Sequence, residues 1–164
     1  MEILTRFAVQ SDLPSIIAIY NQAIADHQTG HLDRLTAESQ QGWFDDHTVS
    51  YPLLVADSGG EIVGWSTLSP YRPGRGAFRC TAELSYYVDA AHRRQRVAST
   101  LIRHSIDLSL DLGIETLLAI LLSNNDASIA LLTKFRFTLW ASLPEIANFD
   151  GRKVDHVYYG LRVS

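Results

Sequence analysis

A carboxylate and an arginine-rich turn lie close together in the stretch 83–98, which reads E-L-S-Y-Y-V-D-A-A-H-R-R-Q-R-V-A. A strand-like run ends at Val88, and the apolar pattern of a helix begins at Val97. A strand, a polar loop and a helix N-terminus together form an anion site, because unpaired backbone N–H groups converge there. The sequence therefore predicts a bound phosphate group beside a potential general base, Glu83. The loop also carries three arginines, namely Arg93, Arg94 and Arg96.

Both parts of this pattern also have an ordinary structural interpretation. Glu83 can be a surface residue of its strand. The arginine loop can be a solvated basic segment, because capped helices with nearby arginines are common. The residue types alone leave both interpretations open.

Histidine and cysteine residues offer weaker candidates. His27 and His31 are four residues apart and can share a helical face, but Gly30 lies between them and no carboxylate partner is evident. We therefore predict no metal site. His156, beside Asp155, can line a substrate site or lie in a solvated hairpin.

Composition and charge limit the partners. The chain has 164 residues and a net charge of −4, which argues against a nucleic-acid scaffold. The single Cys80 excludes an internal disulfide and fits a reducing compartment. The first residues lack the features of a signal peptide, and the longest apolar run, near Leu117–Leu122, is too short to span a bilayer. We expect a cytoplasmic protein without nucleic-acid or membrane partners, as a monomer or small oligomer such as a homodimer.

The elements that must position these residues follow from apolar periodicity and turn signals. Strands are predicted near 3–9, 53–56, 62–68, 78–88, 117–122, 137–143 and 154–163. Helices are predicted from a cap at Ser11 or Asp12 to about residue 24, and over 36–47, 95–112 and 125–135. Strands that are neighbours early in the chain and later alternate with helices predict a mixed α/β (α+β) sheet with helices on its faces. We find no linker or repeat, and we assign one domain, 1–164.

Several short motifs in order carry a family resemblance. They are Ile19-Tyr20-Asn21, the run F-R-x-T-x-E-x-S-x-Y-V over 78–88, N-x-x-S-I over 125–129, and G-x-x-x-D over 151–155. With these motifs the chain resembles the GNAT superfamily of N-acetyltransferases, and within it the phosphinothricin acetyltransferase-like branch. The resemblance covers nearly the whole chain.

The resemblance implies a fold and a cosubstrate. The fold is a central mixed, mostly antiparallel sheet with about four flanking helices, splayed between its fourth and fifth strands. The gap would bind the pantetheine arm of acetyl-CoA, and the arginine loop its pyrophosphate. Asn125 would contact this arm or cap its own helix, and the two roles can coexist. The implied cofactor-binding residues are Tyr87, Val88, Arg93, Arg94, Gln95, Arg96, Val97, Ala98, Asn125 and Ser128.

The resemblance also implies a reaction, namely acetylation of a small amine such as an amino acid, phosphinothricin or methionine sulfoximine. Glu83 would help to remove a proton from the substrate ammonium, which is charged near neutral pH. The backbone N–H of Val88 would stabilise the oxyanion. Substrate contacts are expected from Arg72, Arg79, Glu83 and Ser85. Each of the two arginines can also be a solvated surface charge.

Three departures from the family pattern keep alternatives open. Arg96 and Ala98 stand where the phosphate loop usually has glycine, and Arg136 replaces another glycine. Leu132 stands where the family has Tyr or His, the group expected to protonate the departing thiolate. The alternatives are a GNAT-fold acyl-CoA-binding protein with little or no turnover, and a protein N-acetyltransferase.

Overall fold

The structure, a computed structural model, describes residues 2–163. The seven strands of this part of the chain form one sheet: β1 Leu4–Phe7, β2 Leu53–Ser58, β3 Glu61–Pro70, β4 Thr81–Val88, β5 Thr116–Leu122, β6 Thr138–Phe149 and β7 Arg152–Arg162. The same part of the chain forms four α-helices: α1 Leu13–Ala25, α2 Gln41–Asp45, α3 Val97–Asp111 and α4 Asp126–Lys134.

The strand order is β1-β2-β3-β4-β5-β7-β6. Neighbouring strands are antiparallel, except that β4 and β5 run parallel with α3 as their crossover. A parallel connection of this kind needs a crossover helix. The predicted mixed, mostly antiparallel sheet with about four helices is confirmed.

The two parallel strands separate after three residue pairs. Glu83 of β4 and Leu118 of β5 form the last pair in the register. Beyond it, residues 84–88 and 119–122 face each other without pairing, and we call the space between them the β4–β5 gap. The predicted splay between the fourth and fifth strands is confirmed.

Apolar residues cover both faces of the sheet. On one face, Ile16 and Ile17 of α1 pack on Val55 and Trp65. On the other face, α3 and α4 pack on β4 and β5, with Leu84 and Leu132 both buried. Because side chains alternate along a strand, Ala82, Leu84 and Tyr86 face α3 and α4. Glu83, Ser85 and Tyr87 therefore lie on the opposite face.

Several predicted boundaries are wrong. The helix predicted over 36–47 is only α2, preceded by a 3₁₀ turn at Glu38–Gln40. The strand predicted from Phe78 begins at Thr81, because Gly76–Phe78 is also a 3₁₀ turn. Asp12 does not cap α1 with its side chain; its carboxylate accepts from Val9 N–H and Arg6 instead.

Two helix ends agree with their predicted signals. The Asn125 side chain accepts a hydrogen bond from Ser128 N–H at the start of α4, over 3.2 Å. Gly113 follows α3 with φ of +70°, a left-handed conformation that glycine adopts without strain. Within residues 2–163, the helices are all too short or too polar to cross a membrane.

Candidate active site

The β4–β5 gap presents backbone donors from β4. Asp89 N–H donates to the carbonyl oxygen of Val63 over 3.0 Å. Because successive N–H groups of a strand point to opposite edges, those of Val88 and Tyr86 point toward β5. The parallel pairing has ended at Glu83, so β5 supplies these two groups with no strand partner. The gap can therefore bind a carbonyl oxygen or an extended amide chain.

A groove lies on the side of the gap that faces α3 and α4. It has a volume of about 540 Å³, and we call it the arginine groove. The gap itself holds a smaller cavity of about 50 Å³. The groove brings together most of the cofactor-binding residues that the sequence predicts: Tyr87, Val88, Arg93, Arg94, Arg96, Val97, Ala98, Asn125 and Ser128. It does not include Gln95, whose side-chain amide donates to the carbonyl oxygen of Ala91.

The N-terminus of α3 supplies anion-binding N–H groups to this groove. The first backbone bond of the helix runs from Thr100 N–H to the carbonyl oxygen of Arg96 over 3.0 Å. The N–H groups of Val97, Ala98 and Ser99 therefore have no intrahelical partner and are free to bind a phosphate group.

The loop before α3 contains two strained arginines. Arg94 has φ of +61° and Arg96 has φ of +67°. This left-handed region is unfavourable for a residue with a side chain. Arg96 thus adopts a backbone conformation that glycine would accept without strain, and adds a positive charge at the groove.

Arg93 is held by an acidic residue at the end of α1. Its guanidinium group donates to the carboxylate of Asp26 over 2.7 Å, and both side chains are 45% exposed. This ion pair was not predictable from local sequence patterns, because the two residues are far apart in the chain. Arg93 therefore reaches the groove with part of its charge compensated.

A second cleft lies on the opposite face of the sheet and contains Glu83. This Glu83 cleft has a volume of about 680 Å³. Gln28 and Tyr87 line the cleft, the gap and the arginine groove, so the gap joins the two sides of the sheet. Other side chains that line the cleft are Tyr20, Tyr71, Arg72, Phe149, His156 and Tyr158.

Glu83 is a partly buried carboxyl group. Burial raises its pKa above the ordinary value of 4.5. It forms no ion pair or side-chain hydrogen bond with any other residue in 2–163. A carboxylate with a raised pKa and no cationic partner is a stronger base than an exposed one.

An aromatic pocket adjoins Glu83, with a volume of about 200 Å³. Tyr20, Trp43, Trp65 and Tyr87 form its walls, and Trp65 packs against the other three rings. The faces of such rings attract a cation. The sequence predicted Tyr87 as a cofactor-binding residue and Tyr20 as part of a family motif, but it did not predict this pocket, since helix α1, helix α2 and the sheet meet here only through tertiary packing.

The predicted substrate residues lie in different places. Ser85 lines the aromatic pocket beside Glu83. Arg72 lines the Glu83 cleft, exposed and near the ring of Tyr71. Arg79 lines neither cavity; its side chain donates to the carbonyl oxygen of Gly76.

The three histidines considered as candidates lie in different places. His27 stacks on Phe149, and His31 shares a hydrogen bond of 2.7 Å with the hydroxyl of Tyr20. In the described part of the chain, no three His, Cys, Asp or Glu side chains form a group that could hold a metal ion. His156 lines the Glu83 cleft, and burial lowers its pKa below 6.5.

Comparisons with known proteins agree with this geometry. The sequence profile of the Acetyltransferase (GNAT) family matches residues 16–137. A Bacillus subtilis protein provisionally named phosphinothricin acetyltransferase is 36% identical, over 97% of this chain and 98% of that protein. The L-methionine sulfoximine/L-methionine sulfone acetyltransferase of Pseudomonas aeruginosa is 32% identical, over 96% of this chain and 93% of that protein.

A solved structure gives the same result. The crystal structure of a phosphinothricin acetyltransferase from Sinorhizobium meliloti in complex with acetyl-CoA superposes with a TM-score of 0.92 at 25% identity. The match covers 99% of this chain and 89% of that one. The resemblance seen in the sequence is thereby confirmed, and the chain belongs to the GNAT family of acetyltransferases.

Proposed function

We propose that the protein transfers the acetyl group of acetyl-CoA to the amine of a small amino acid or amino-acid analogue. Family membership makes it an N-acetyltransferase that uses acetyl-CoA, as the sequence predicted. The identity of the amine and the roles of individual residues form the proposal.

The main support for this proposal is one observation: the β4–β5 gap joins a groove rich in arginine to a cleft that contains a partly buried carboxylate. Phosphate groups fit the arginine groove, and a cationic amine fits the Glu83 cleft. Gln28 and Tyr87 line both sides. This arrangement lets the two substrates meet at the gap from opposite faces of the sheet, without a covalent enzyme intermediate.

The chain fits the chemical groups of the acyl donor. Bound acetyl-CoA supplies a thioester whose carbonyl carbon accepts a nucleophile. Arg93, Arg94 and Arg96, with the N–H groups at the start of α3, would hold the pyrophosphate. Asn125 and Ser128 would border the pantetheine arm. The N–H group of Val88 would donate to the carbonyl oxygen as negative charge develops there.

Glu83 would act as the base toward the amine. An ammonium group has no free electron pair, so it must lose a proton before it can attack. The raised pKa of Glu83 lies nearer to that of an amine, which favours the transfer. Tyr20, Trp65 and Tyr87 would hold the cation beside the carboxylate before this step.

The Glu83 cleft favours a small substrate with its own carboxylate. Arg72 at its edge can bind a carboxylate group, and Ser85 offers a hydroxyl beside Glu83. The indole N–H of Trp65 is buried without a hydrogen-bond partner among residues 2–163, so it can donate to a polar substrate atom. Relatives named for methionine sulfoximine and phosphinothricin support an amino-acid analogue of that kind.

An amine panel tests this proposal. The protein is incubated with acetyl-CoA and methionine sulfoximine, methionine sulfone, phosphinothricin, each common amino acid, or a peptide with a free N-terminus, and release of the CoA thiol is followed. We expect turnover with one or more small amino-acid analogues and none with the peptide.

Two other outcomes would replace the proposal. Calorimetric binding of acetyl-CoA without turnover on any amine would identify an acyl-CoA-binding protein. Turnover on the peptide alone would identify a protein N-acetyltransferase.

We also propose a cytoplasmic location, because the single free Cys80 fits a reducing compartment.

A homodimer is proposed from the edge strand β6. It exposes four large hydrophobic side chains, namely Leu139, Trp140, Leu143 and Ile146. Sedimentation equilibrium of the wild-type protein and of a Leu139→Ser, Ile146→Ser variant tests it; a wild-type monomer would refute the dimer.

A further inference from the structure

Tyr86 lies in the part of β4 that borders the gap. Its side chain points to the face opposite Glu83 and lines both the arginine groove and the small cavity in the gap. Its hydroxyl oxygen is buried and has no hydrogen-bond partner among residues 2–163. Ser128 lies close enough to influence the pKa of Tyr86 but does not form a hydrogen bond with it. A buried hydroxyl without a partner is unfavourable, and marks a place where a ligand atom is expected.

Leu132 borders the same cavity from α4. It is 1% exposed and packs with Leu84, Ala119 and Phe137 in the core. Leucine has no polar atom, so α4 offers no donor at this position. Ser85 and Ser128 also line this cavity, but the hydroxyl that is buried without a partner among residues 2–163 is that of Tyr86, from the neighbouring strand.

We propose that the Tyr86 hydroxyl donates a hydrogen bond to the thioester sulfur of the acyl donor and stabilises the charge that develops there. This inference rests on the proposed function, because it requires the acyl-CoA arm to lie in the β4–β5 gap. It assigns to a strand residue the contact with sulfur that Leu132 cannot make.

The amine nitrogen forms a bond to the acetyl carbon, and the carbon–sulfur bond breaks with its electron pair on sulfur. Before the attack, Glu83 takes one proton from the substrate ammonium and passes it to water. Once the new bond has formed, the nitrogen carries a positive charge, and its second proton also passes to water as the amide forms. Tyr86 keeps its own proton while it donates to the thiolate, which is protonated by water on release.

The protonation state of Tyr86 suits a donor rather than an acid. Burial raises the pKa of Tyr86 to about 12. A thiol has an ordinary pKa of about 8.5, so full proton transfer from this phenol to a thiolate is unfavourable. The phenol therefore stays protonated at neutral pH, and a hydrogen bond to a charged acceptor is among the stronger ones.

The first test compares Tyr86→Phe with Tyr159→Phe. The control residue packs on the same core cluster as Tyr86 but lines neither the groove nor the gap. We expect Tyr86→Phe to lower kcat about 10- to 100-fold, as loss of a hydrogen bond to a charged group would. The KM for the amine should not change, because the Tyr86 side chain lies on the other face of the sheet. Equal kcat values in the two variants would overturn the proposal.

A second measurement does not depend on turnover. The CoA thiol is titrated in the protein complex by its thiolate absorbance, with desulfo-CoA as the blank that cancels tyrosine signals. If Tyr86 stabilises the thiolate, Tyr86→Phe should raise the pKa of the bound thiol by about one to two units. An unchanged thiol pKa would overturn the proposal even if no amine substrate is found, which separates its failure from that of the proposed function.

The third test moves the hydroxyl to α4. Leu132→Tyr should give little gain in the wild-type background, where Tyr86 already donates to sulfur. It should restore much of the lost kcat in the Tyr86→Phe background, a non-additive result. Thermal melting is measured for each variant, because overpacking at the buried Leu132 can reduce stability. Equal gains in kcat in the two backgrounds would show that Tyr86 does not donate a hydrogen bond to the sulfur.

Discussion

Gly64 in β3 lies directly against Val97, the first residue of α3. A Cβ atom placed on Gly64 would approach Val97 Cγ1 to 2.8 Å and the carbonyl oxygen of Tyr87 to 3.0 Å. Such distances are shorter than ordinary van der Waals contact. The absence of a side chain at position 64 therefore lets the N-terminus of α3, and with it the arginine loop, sit close to the β4–β5 gap.

We predict that Gly64→Ala lowers both stability and acetyl-CoA affinity. The added methyl group must push α3 away from β3 and β4, and overpacking of this kind costs about 1 to 3 kcal/mol. Thermal melting and calorimetry measure the two effects. Gly42→Ala in α2 is the control, because its new Cβ would meet nothing within 4 Å. Unchanged affinity in a destabilised Gly64→Ala protein would mean that the position of α3 does not determine binding.

Arg96→Gly should change stability through backbone strain and acetyl-CoA affinity through charge, in opposite directions. Glycine relieves the strain of φ at +67°, so we expect a gain in stability of about 0.5 to 1 kcal/mol. Acetyl-CoA affinity should nevertheless fall, because one of the charges at the groove is lost, and the salt dependence of binding should weaken.

Arg136→Gly is a matched control for that variant. Arg136 also has φ of +67°, but it does not line the arginine groove. The Arg136→Gly variant should gain a similar free energy of unfolding, measured with denaturant, and its affinity for acetyl-CoA should not change. If both variants bind acetyl-CoA as the wild type does, the Arg96 side chain takes no part in phosphate binding.

Glu83→Gln should slow turnover about 10²- to 10⁴-fold and also make the protein more stable at neutral pH. Burial raises the pKa of Glu83 above 4.5, so the folded protein binds this proton more tightly than the unfolded chain does. Its contribution to stability therefore falls as pH rises from the unfolded pKa through the folded one. An uncharged glutamine removes this penalty.

Rate and melting temperature, each measured against pH, test that pair of effects. The rate defect of Glu83→Gln should shrink as pH rises, since free amine becomes abundant. Glu61→Gln, an exposed carboxylate at the start of β3, should alter neither quantity. A wild-type rate at neutral pH would remove Glu83 from the mechanism.

Asp26→Asn should increase acetyl-CoA affinity about two- to five-fold. This factor corresponds to the free energy of one charge interaction at a protein surface. The change releases Arg93 from its ion pair and removes a negative charge beside the phosphate loop. Stability should hardly change, because both partners are 45% exposed.

Asp111→Asn tests whether any lost negative charge has this effect. Asp111 ends α3, at the opposite end of a 15-residue helix from the loop, well beyond the range of screened charges. Its replacement should leave affinity unchanged in calorimetry. Equal effects of the two variants would mean that net charge, and not Arg93, controls binding.

The family and the order of the elements could be predicted from the sequence, and so could the positions of Glu83 and of the arginine loop in the chain. The strand that carries Glu83, the arginine loop and the helix that follows form one continuous segment, so local patterns could locate them. The capping of α4 by Asn125 and the end of α3 at Gly113 were predictable for the same reason, because each depends on neighbours within a few residues.

The contacts across the sheet could not be predicted in this way, because they depend on tertiary packing. The ion pair of Arg93 with Asp26, the aromatic pocket around Glu83 and the burial of Leu132 all join segments that are distant in the chain. The unpaired hydroxyl of Tyr86 depends on where the β4–β5 pairing stops and on how α4 packs above it. Periodicity reports which face of an element is apolar, but it does not report which elements share that face.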